Sequence, residues 1–201
     1  MTPALDIQPV TPQRWPDLVR LFEPNGACQG CWCMFWRTSR AAFHDRSGEE
    51  NRAALQQLVL SGQQPGFLAY AGAVPVGWCA AGPRSQFAAL ERSRMLKRVD
   101  DLEVWSVVCF YIARSARRQG VMTALLRGVL DYAARQGVRV VEAYPTDLET
   151  PKLVGQKLTG SAGYMGVASV FQSLGFQDVK QVTETRRMMR CWIGAREPGA
   201  D

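Results

Sequence analysis

The sequence of 201 residues holds only one histidine, and nowhere do five or six residues of like charge follow one another. The absence of such a run argues against a basic arm that grips nucleic acid. The formal net charge is nevertheless +6, a mild excess that suits a polyanionic partner: nucleic acid, a membrane surface or a phosphorylated cofactor. Residues 1–15 also lack a basic stretch followed by an apolar core, so we expect no signal peptide.

A long uninterrupted apolar run is missing as well. Residues 61–83 carry no charge, but eight glycines and prolines divide them into pieces too short to cross a membrane. Because no export signal is evident, the six cysteines are expected to stay reduced rather than to form a disulfide framework. We therefore expect a single domain over residues 1–201 that works in the cytoplasm without membrane contact.

Apolar periodicity predicts a mixed order of strands and helices. It begins with a strand, two helices and a hairpin, continues with a strand, a helix and a parallel strand, and closes with a short helix and two strands. The corresponding ranges are 5–10, 12–22, 48–61, 66–82, 104–112, 121–136, 138–144, 167–174, 176–179 and 184–193. Strand 104–112 is apolar on both faces and is therefore expected to be central in the sheet. Residues 145–166 show no regular period, which is typical of a functional or mobile segment.

The sequence RSARRQG, residues 114–120, joins the central strand to the helix that follows it. The first N–H groups of a helix have no partner within it and carry a partial positive charge, so they form a site for an anion. Arg114, Arg117 and Arg118 can pair with phosphate oxygens, and Gly120 lets a ligand approach the backbone closely. Neither GxxxxGK[ST] nor GxGxxG fits this loop, which disfavours an ATP or NAD site. We predict that the loop binds a pyrophosphate.

Residues 117–122 resemble the phosphate loop of the GNAT acetyltransferase superfamily, whose motif is Arg/Gln-x-x-Gly-x-Gly/Ala. Met122 departs from the motif, because glycine or alanine is usual at its position. Further along, VASVFQSLGF is similar to the superfamily's fourth-helix segment, which ends in Gly-Phe, here Gly175 and Phe176. The predicted hairpin is similar to the second and third strands, so the resemblance extends over about residues 5–192.

This resemblance implies a mixed α/β (α+β) fold with a central sheet of about six to seven strands and about four flanking helices. The sheet is expected to splay between strands 104–112 and 138–144, and acetyl-CoA is expected as the acyl donor. Main-chain groups of the splayed strand would bind the pantetheine arm, and the loop would bind the pyrophosphate. The residues implied are Cys109, Phe110, Tyr111 and Ile112 for the arm, and Arg117, Arg118, Gln119, Gly120, Val121 and Met122 for the pyrophosphate.

The resemblance also implies an N-acetyltransferase in which a primary amine attacks the bound thioester directly, without a covalent enzyme intermediate. The acceptor is either a small molecule or a protein amine, and the protein is expected as a monomer or a homodimer. Two other hypotheses stay open. One is a non-catalytic acyl-CoA-binding or regulatory module of the same fold. The other is a nucleic-acid-binding protein that uses the basic loop, although we expect no nucleic-acid partner.

Two positions that carry catalytic groups in other members of the superfamily are occupied differently here. Ser106 stands where some members have a glutamate base, and Phe171 stands where others have a tyrosine acid. Ser106 cannot serve alone as the base, and Phe171 has no proton to give. Tyr164 is the candidate for the acid, with Tyr144 as a substitute.

Glu142 is the best candidate for the base. A carboxylate inside an otherwise apolar strand is unfavourable unless it is paired or functional. It could orient a cationic substrate or accept a proton through water. The alternative for Glu142 is a structural ion pair with Arg139 or with a residue of the closing strands.

Residues 26–37, GACQGCWCMFWR, combine thiols with large rings. Cys28, Cys31 and Cys33, together with His44, offer four ligands for zinc, but their spacing matches no usual structural zinc pattern, and we expect no metal. The thiols and rings are expected to pack onto the core. A second interpretation fits the resemblance: aromatic side chains wall an apolar or cation-accepting acceptor site, and the candidates are Trp32, Phe35, Trp36, Trp78 and Trp105.

Overall fold

The computed structural model describes residues 5–156 and 163–194. Within these ranges the chain forms seven β-strands and six α-helices. The strands are β1 (Leu5–Pro9), β2 (Gly66–Ala71), β3 (Val74–Pro83), β4 (Trp105–Ile112), β5 (Val140–Ala143), β6 (Gln177–Thr183) and β7 (Arg186–Trp192). The helices are α1 (Trp15–Phe22), α2 (Arg40–Asp45), α3 (Gly48–Leu60), α4 (Ala88–Glu91), α5 (Val121–Arg135) and α6 (Ala168–Gln172).

All seven strands form one sheet in the order β1-β2-β3-β4-β5-β7-β6. In the described part of the chain only β4 and β5 run parallel, connected through α5, and the other neighbouring pairs are antiparallel. The mixed α/β sheet that the sequence predicts is therefore confirmed, with seven strands at the upper end of the expected number. β4 is the middle strand of the seven, as its apolar residues on both faces predict.

The described residues form six helices rather than the expected number of about four. The difference comes from two short helices, α2 and α4, that the sequence analysis did not predict. α2 has six residues and is capped by Ser39, whose hydroxyl accepts a hydrogen bond from the Ala42 N–H at 3.2 Å. α4 is a single turn of four residues. Helices of this length lack the repeat on which a periodicity argument depends. Among the described residues, no helix has both the length and the apolar character needed to cross a membrane.

β4 and β5 pair only briefly and then separate. The paired residues are Trp105 with Val141, Ser106 with Glu142, and Val107 with Ala143. Beyond this point β4 continues to Ile112 with β3 as its neighbour on one side only. The predicted splay between these two strands is therefore confirmed.

A short segment before α6 lies in the gap between the separated strands. On one side the Phe110 N–H donates to the Tyr164 carbonyl at 2.6 Å, which ties the segment to β4. On the other side the Thr146 N–H donates to the Gly166 carbonyl at 3.0 Å, and the Ala168 N–H donates to the Thr146 carbonyl at 2.9 Å. The segment thus supplies main-chain partners that the two strands no longer give each other.

The sheet is covered on both faces, and each cover forms its own core. α5 and α6 cover one face, and α1, α3 and the loop 23–39 cover the other. From Cys109 to Ile112 the side chains of β4 alternate between the two layers. Val108 and Cys109 both face the layer of α1, because the pairing of β4 with β3 shifts its register at this point. Phe110 packs against α5 and α6, whereas Cys109 and Tyr111 face the layer of α1.

Helix α5 packs closely on the sheet through a stripe of apolar side chains. The buried members of this stripe are Val121, Leu125, Leu126, Val129 and Ala133. Beside the stripe, a Cβ added at Gly128 would stand 2.5 Å from the Cγ2 atom of Ile7 and 2.7 Å from its Cβ. The absence of a side chain at Gly128 therefore lets α5 approach β1.

We expect Gly128→Ala to lower the free energy of unfolding by roughly 1 kcal/mol, because overpacking costs about 1–3 kcal/mol and the gain in helix propensity is about 1 kcal/mol. Adding Ile7→Ala removes the obstacle, so the double variant should lose less stability than the sum of the two single variants. Urea unfolding of all three proteins measures this. Simple additivity would show that the helix and the strand do not touch at this point.

Candidate active site

The basic loop between β4 and α5 holds its main chain in the geometry of an anion site. Arg118 and Gly120 both adopt left-handed conformations, with φ of 61° and 76°. Residues of this kind in a turn aim successive N–H groups at a common point. α5 then begins at Val121 without a side-chain cap and without an acidic residue in its first turn. The N–H groups of that turn therefore remain available for an anion.

Three arginines surround this helix start. Arg114, Arg117 and Arg118 are all exposed. The Arg117 Nε–H donates to the Ile112 carbonyl at 3.2 Å, which anchors this side chain across the end of β4. Guanidinium groups in this position can pair with phosphate oxygens at little desolvation cost.

The residues at the apex of the loop fit a diphosphate. A Cβ added at Gly120 would meet no atom within 4 Å, so the space above this residue is open to a ligand. The Gln119 side chain donates to the Ser115 carbonyl at 2.7 Å and braces the loop. Val121 is buried and Met122 is partly buried against the core beside α5, so both side chains turn into the protein. The departure at Met122 from the glycine or alanine of the superfamily motif is thereby accommodated.

The four residues of β4 that are predicted to bind a pantetheine arm direct their main-chain groups to two opposite sides of the strand. The Phe110 N–H donates away from β3, to the Tyr164 carbonyl, whereas the Ala113 N–H donates to Val76 of β3 at 3.0 Å. Because main-chain groups alternate along an antiparallel edge, Phe110 and Ile112 face the open side. Cys109 and Tyr111 direct their main-chain groups toward β3, and they reach the site through their side chains instead.

A cavity of about 340 Å³ opens between β4 and the loop that precedes α2 and is termed the central cavity. Cys109, Phe110 and Tyr111 form one wall, and Tyr164 adjoins them. The opposite wall consists of Ala27, Cys28, Gln29, Cys31, Cys33, Phe35 and Trp36 of the loop, and Phe43 of α2. The structure thus brings the Cys-aromatic segment to the splayed end of β4, although 76 residues separate Cys33 from Cys109.

Of the five aromatic residues predicted to wall the acceptor site, only two line the central cavity. Phe35 and Trp36 line the central cavity. Trp32 and Trp78 are buried in the core beside it, where each contacts the Phe22 ring. Trp105 does not belong to the site, because it packs with the helices on the opposite face of the sheet.

The loop that carries the thiols has an unusual backbone. Ala27, Gln29, Trp32 and Cys33 all have positive φ, between 40° and 67°. Left-handed geometry costs each such residue roughly 1–2 kcal/mol, so it persists only where the surroundings enforce it. The packing of Trp32 holds the loop in this conformation, because its ring stacks on Trp15 at a centroid distance of 6.0 Å. This conformation aims the thiols of the loop into the cavity.

The thiols at the base of the cavity hydrogen-bond with one another. The Cys33 thiol donates to Cys109 Sγ at 3.5 Å and accepts from the Trp78 indole N–H at 3.0 Å. Its hydrogen bond with Cys109, together with burial, raises the pKa of Cys33, and the hydrogen bond with Cys33 raises the pKa of Cys31. Both thiols are therefore uncharged at neutral pH. In the described ranges, no three His, Cys, Asp or Glu side chains are grouped so that they could hold a metal ion.

Tyr164 carries a phenol into the central cavity. Burial raises its pKa above the ordinary value, while the positive charge of Arg186 and the indole of Trp36 partly lower it. The net direction is upward, so the phenol stays protonated at neutral pH. A protonated phenol next to the splayed edge of β4 can donate a proton to a reacting group.

Glu142 lies outside the central cavity, and its carboxylate is fully buried. It accepts hydrogen bonds from Arg84 at 2.6 Å, Arg190 at 2.8 Å and the Tyr144 hydroxyl at 2.5 Å. Arg84 follows β3 and Arg190 lies on β7, so one carboxylate ties three strands together. This geometry gives a catalytic base at Glu142 no support. It agrees with the alternative interpretation, an ion pair with a closing strand, although Arg139 is not the partner.

Ser106 and Phe171 are buried in the surroundings expected of structural residues. The Ser106 hydroxyl lies 2.9 Å from the Tyr144 hydroxyl. Phe171 is fully buried, with ring centroids 6.1 Å from Phe110 and 5.1 Å from Phe176. Tyr144 is therefore occupied as well and does not substitute for Tyr164.

Sequence reasoning missed Phe43 and Arg186. Phe43 reaches the cavity from α2, a helix too short to predict, and its ring lies 5.3 Å from that of Phe35. Arg186 opens β7 and donates to the Tyr144 carbonyl at 2.6 Å. No local sequence signal connects either residue with the site, because both arrive through tertiary contacts.

Comparison with known proteins was made for both sequence and structure. Residues 29–152 match the family model described as Acetyltransferase (GNAT) family. No curated protein sequence matches the chain.

Solved acetyltransferases share the fold at low sequence identity. A GCN5-related N-acetyltransferase from Kribbella flavida is 20% identical with a TM-score of 0.54, and the match covers 94% of this chain and 98% of that one. PaiA N-acetyltransferase from Thermoplasma acidophilum, in complex with coenzyme A, is 11% identical with a TM-score of 0.51, covering 94% and 99%. The yncA protein from Salmonella typhimurium, with its cofactor acetyl-CoA, is 16% identical with a TM-score of 0.50, covering 98% and 99%.

We expect Glu142→Gln to lower the free energy of unfolding by about 3 kcal/mol, because it removes the one fully buried carboxylate from two buried guanidinium groups. Among the described residues, Arg84 then keeps only Glu91, and Arg190 keeps only Asp100, as a partly exposed counter-charge. The control is Glu49→Gln, the same change at an exposed carboxylate, which should alter stability by less than about 0.5 kcal/mol. Urea unfolding measures both. Equal stability of the two variants would show that the buried cluster does not hold the strands together.

Proposed function

Because the chain belongs to the GNAT acetyltransferase family, we propose that it transfers the acetyl group of acetyl-CoA to the nitrogen of an amine. One observation carries this proposal: the basic start of α5 lies directly beyond the splayed edge of β4. A ligand with a diphosphate at one end and amides along its arm can engage both features. The complexes of the Thermoplasma and Salmonella proteins with coenzyme A and acetyl-CoA support the same choice of donor.

The loop binds the diphosphate of the donor. The N–H groups of Val121 and Met122, at the helix start, and the guanidinium groups of Arg117 and Arg118 are the donors. Gly120 keeps this surface open to the ligand. The binding energy comes from exposed charges and a helix terminus, so it should weaken as the salt concentration rises.

The splayed edge of β4 binds the pantetheine arm in the manner of an added strand. Phe110 and Ile112 present their main-chain groups to the open side. The Phe110 N–H is already bonded to the Tyr164 carbonyl at 2.6 Å. An amide of the arm must therefore share or replace this bond, which links donor binding to the position of Tyr164.

The central cavity holds the reacting groups. Acetyl-CoA supplies an acyl carbon activated as a thioester. The rings and thiols of the loop exclude water, and the protonated Tyr164 phenol gives a proton to the departing thiolate. The amine attacks directly, without an acyl-enzyme intermediate. The acceptor is a small molecule or a protein amine.

The state of the cysteines supports activity in the cytoplasm. All six cysteines are free thiols, and Cys33 contacts Cys109 without a covalent bond. Thiols in such contact persist where the compartment keeps them reduced. We therefore place the protein in the cytoplasm.

Gly120→Ala should weaken acetyl-CoA binding at least about tenfold, because a methyl group enters the diphosphate site and strains a left-handed residue. The control is Gly137→Ala at the opposite end of α5, where φ is also positive, 71°, and a Cβ likewise meets no atom within 4 Å. Thermal melting with and without acetyl-CoA measures binding, since ligand at 100 times its Kd adds about 2.7 kcal/mol of stability. Equal loss in both variants would mean that the loop has no special role.

Tyr164→Phe should lower kcat by about 10²-fold without weakening acetyl-CoA binding, because it removes only the proton donor. Since burial raises the pKa of Tyr164 above its ordinary value, the phenol is in its acid form at neutral pH and loses its proton only in alkaline solution. The control is Tyr70→Phe, which removes a hydroxyl that donates to Asp17 on the far side of α1. Release of free coenzyme A thiol measures turnover. Binding of acetyl-CoA without turnover of any amine would favour the non-catalytic module.

A further inference from the structure

The described residues that line the central cavity are uncharged, although the surface of the protein is not. None of the described residues that line it carries a formal charge at neutral pH, and Gln29 is its one polar amide. The raised pKa values of Cys31 and Cys33 keep those thiols neutral. No described residue of the lining can therefore offer a counter-charge to an ammonium group.

Two guanidinium groups act on the phenol that Tyr164 contributes to the cavity. Burial raises the pKa of Tyr164, and the guanidinium groups of Arg186 and Arg40 both pull it down. Arg186 donates to the Tyr144 carbonyl at 2.6 Å and to Met165 Sδ at 3.0 Å, neither of which neutralises its charge. A cation that enters beside Tyr164 would be repelled.

The rings of the cavity do not replace the missing carboxylate. Phe35 lies 5.1 Å from Trp36 and 5.3 Å from Phe43, with interplanar angles of 86° and 87°. These are distances of direct edge-to-face contact, so a cation does not fit between the rings. A cation–π contact on an outer face contributes about 0.5–2 kcal/mol. Removal of an unpaired ammonium group from water costs several kcal/mol.

Among the described residues, the cavity lining also offers no group that could take a proton from an ammonium ion. Ser106 and Glu142 are engaged in the buried cluster with Tyr144, and Tyr164 is itself protonated. An alkylamine with a pKa of about 10.4 is neutral in only about 1 in 2,500 molecules at pH 7. An acceptor suited to this site must therefore arrive already neutral.

We propose that the acceptor is a small aromatic amine, whose nitrogen is weakly basic and attached to a flat apolar ring. This inference rests on the proposed acetyl transfer and names its substrate class. A volume of about 340 Å³ is at the small end for ligand sites, which favours a one-ring acceptor over a large one. The ring packs against the cavity-facing surfaces of Phe35, Trp36 and Phe43, and its nitrogen points toward β4.

The transfer then balances with Tyr164 as the one proton carrier. The neutral nitrogen attacks the thioester carbon, an N–C bond forms, and the C–S bond breaks. The departing thiolate takes the proton of Tyr164. The new nitrogen–carbon adduct has become acidic and returns one proton to the Tyr164 oxygen. The products are the acetylated amine and free coenzyme A, and the enzyme is unchanged.

Two isomeric amines test this inference on the wild-type protein. 4-Methylaniline and benzylamine contain the same atoms, but the first is neutral at pH 7 and the second is an ammonium ion. We expect kcat/KM with acetyl-CoA to be at least about tenfold higher for 4-methylaniline at pH 7. Its rate should stay flat from pH 6 to 8, whereas that of benzylamine should rise about tenfold per pH unit.

The outcomes separate the two proposals. Preference for benzylamine, or for the aliphatic diamine 1,4-diaminobutane, would overturn the aromatic acceptor and leave acetyl transfer standing. Turnover of none of the three, despite a melting shift with acetyl-CoA, would overturn the aromatic acceptor, and acetylation of a peptide amine in the same assay would then decide whether acetyl transfer stands.

A pair of variants at Phe43 tests the cause of the preference. Phe43 is partly exposed on the short helix α2, so replacement there spares the core. Phe43→Glu introduces a carboxylate into the cavity wall, and Phe43→Gln introduces the same shape without charge. The ratio of kcat/KM for benzylamine to that for 4-methylaniline should be at least about tenfold higher in Phe43→Glu than in Phe43→Gln. Equal ratios would show that charge does not determine the acceptor.

Discussion

β4 and β5 part after Val107, and every feature of the candidate site depends on this separation. At the paired end, the Glu142 carboxylate holds Arg84 and Arg190, which joins the two strands to β3 and β7. At the open end, β4 keeps one neighbour, and its free edge meets the segment that contains Tyr164. The buried ion pairs thus lie at the paired end, and the anion loop and the central cavity both lie beyond the point of separation.

Local features of the site could be predicted from the sequence because local physics determines them. The helix start at residue 120 follows from a glycine, a cluster of arginines and the apolar stripe of α5. The central position of β4 follows from its apolar residues on both faces. The separation of β4 from β5 could be predicted only from the family resemblance, because the apolar periodicity of a strand does not indicate where its neighbour leaves it. These signals are confined to short stretches of chain, so one sequence is enough to interpret them.

The central cavity could not be predicted in the same way, because distant segments build it. Cys33 meets Cys109 across 76 positions, and Arg84 meets Glu142 across 58. The left-handed backbone at Trp32 and Cys33 has no sequence signature, since neither residue type favours that conformation. A buried carboxylate such as Glu142 has the same sequence pattern whether it is catalytic or structural. Only its partners, which come from other strands, decide between the two.

The two ends of the open part of β4 differ in charge. Near Ile112 the strand meets exposed guanidinium groups, which can hold a polyanion in contact with water at little desolvation cost. Near Cys109 it faces neutral thiols and rings, where the effective dielectric constant is lower and a single proton donor acts more strongly. A carboxylate in place of the thiols would bring a charge that needs its own partner. The thiols fill the same space and need no counter-charge. The strained loop that carries them is stabilised by the packing of Trp32 on Trp15 and Phe22.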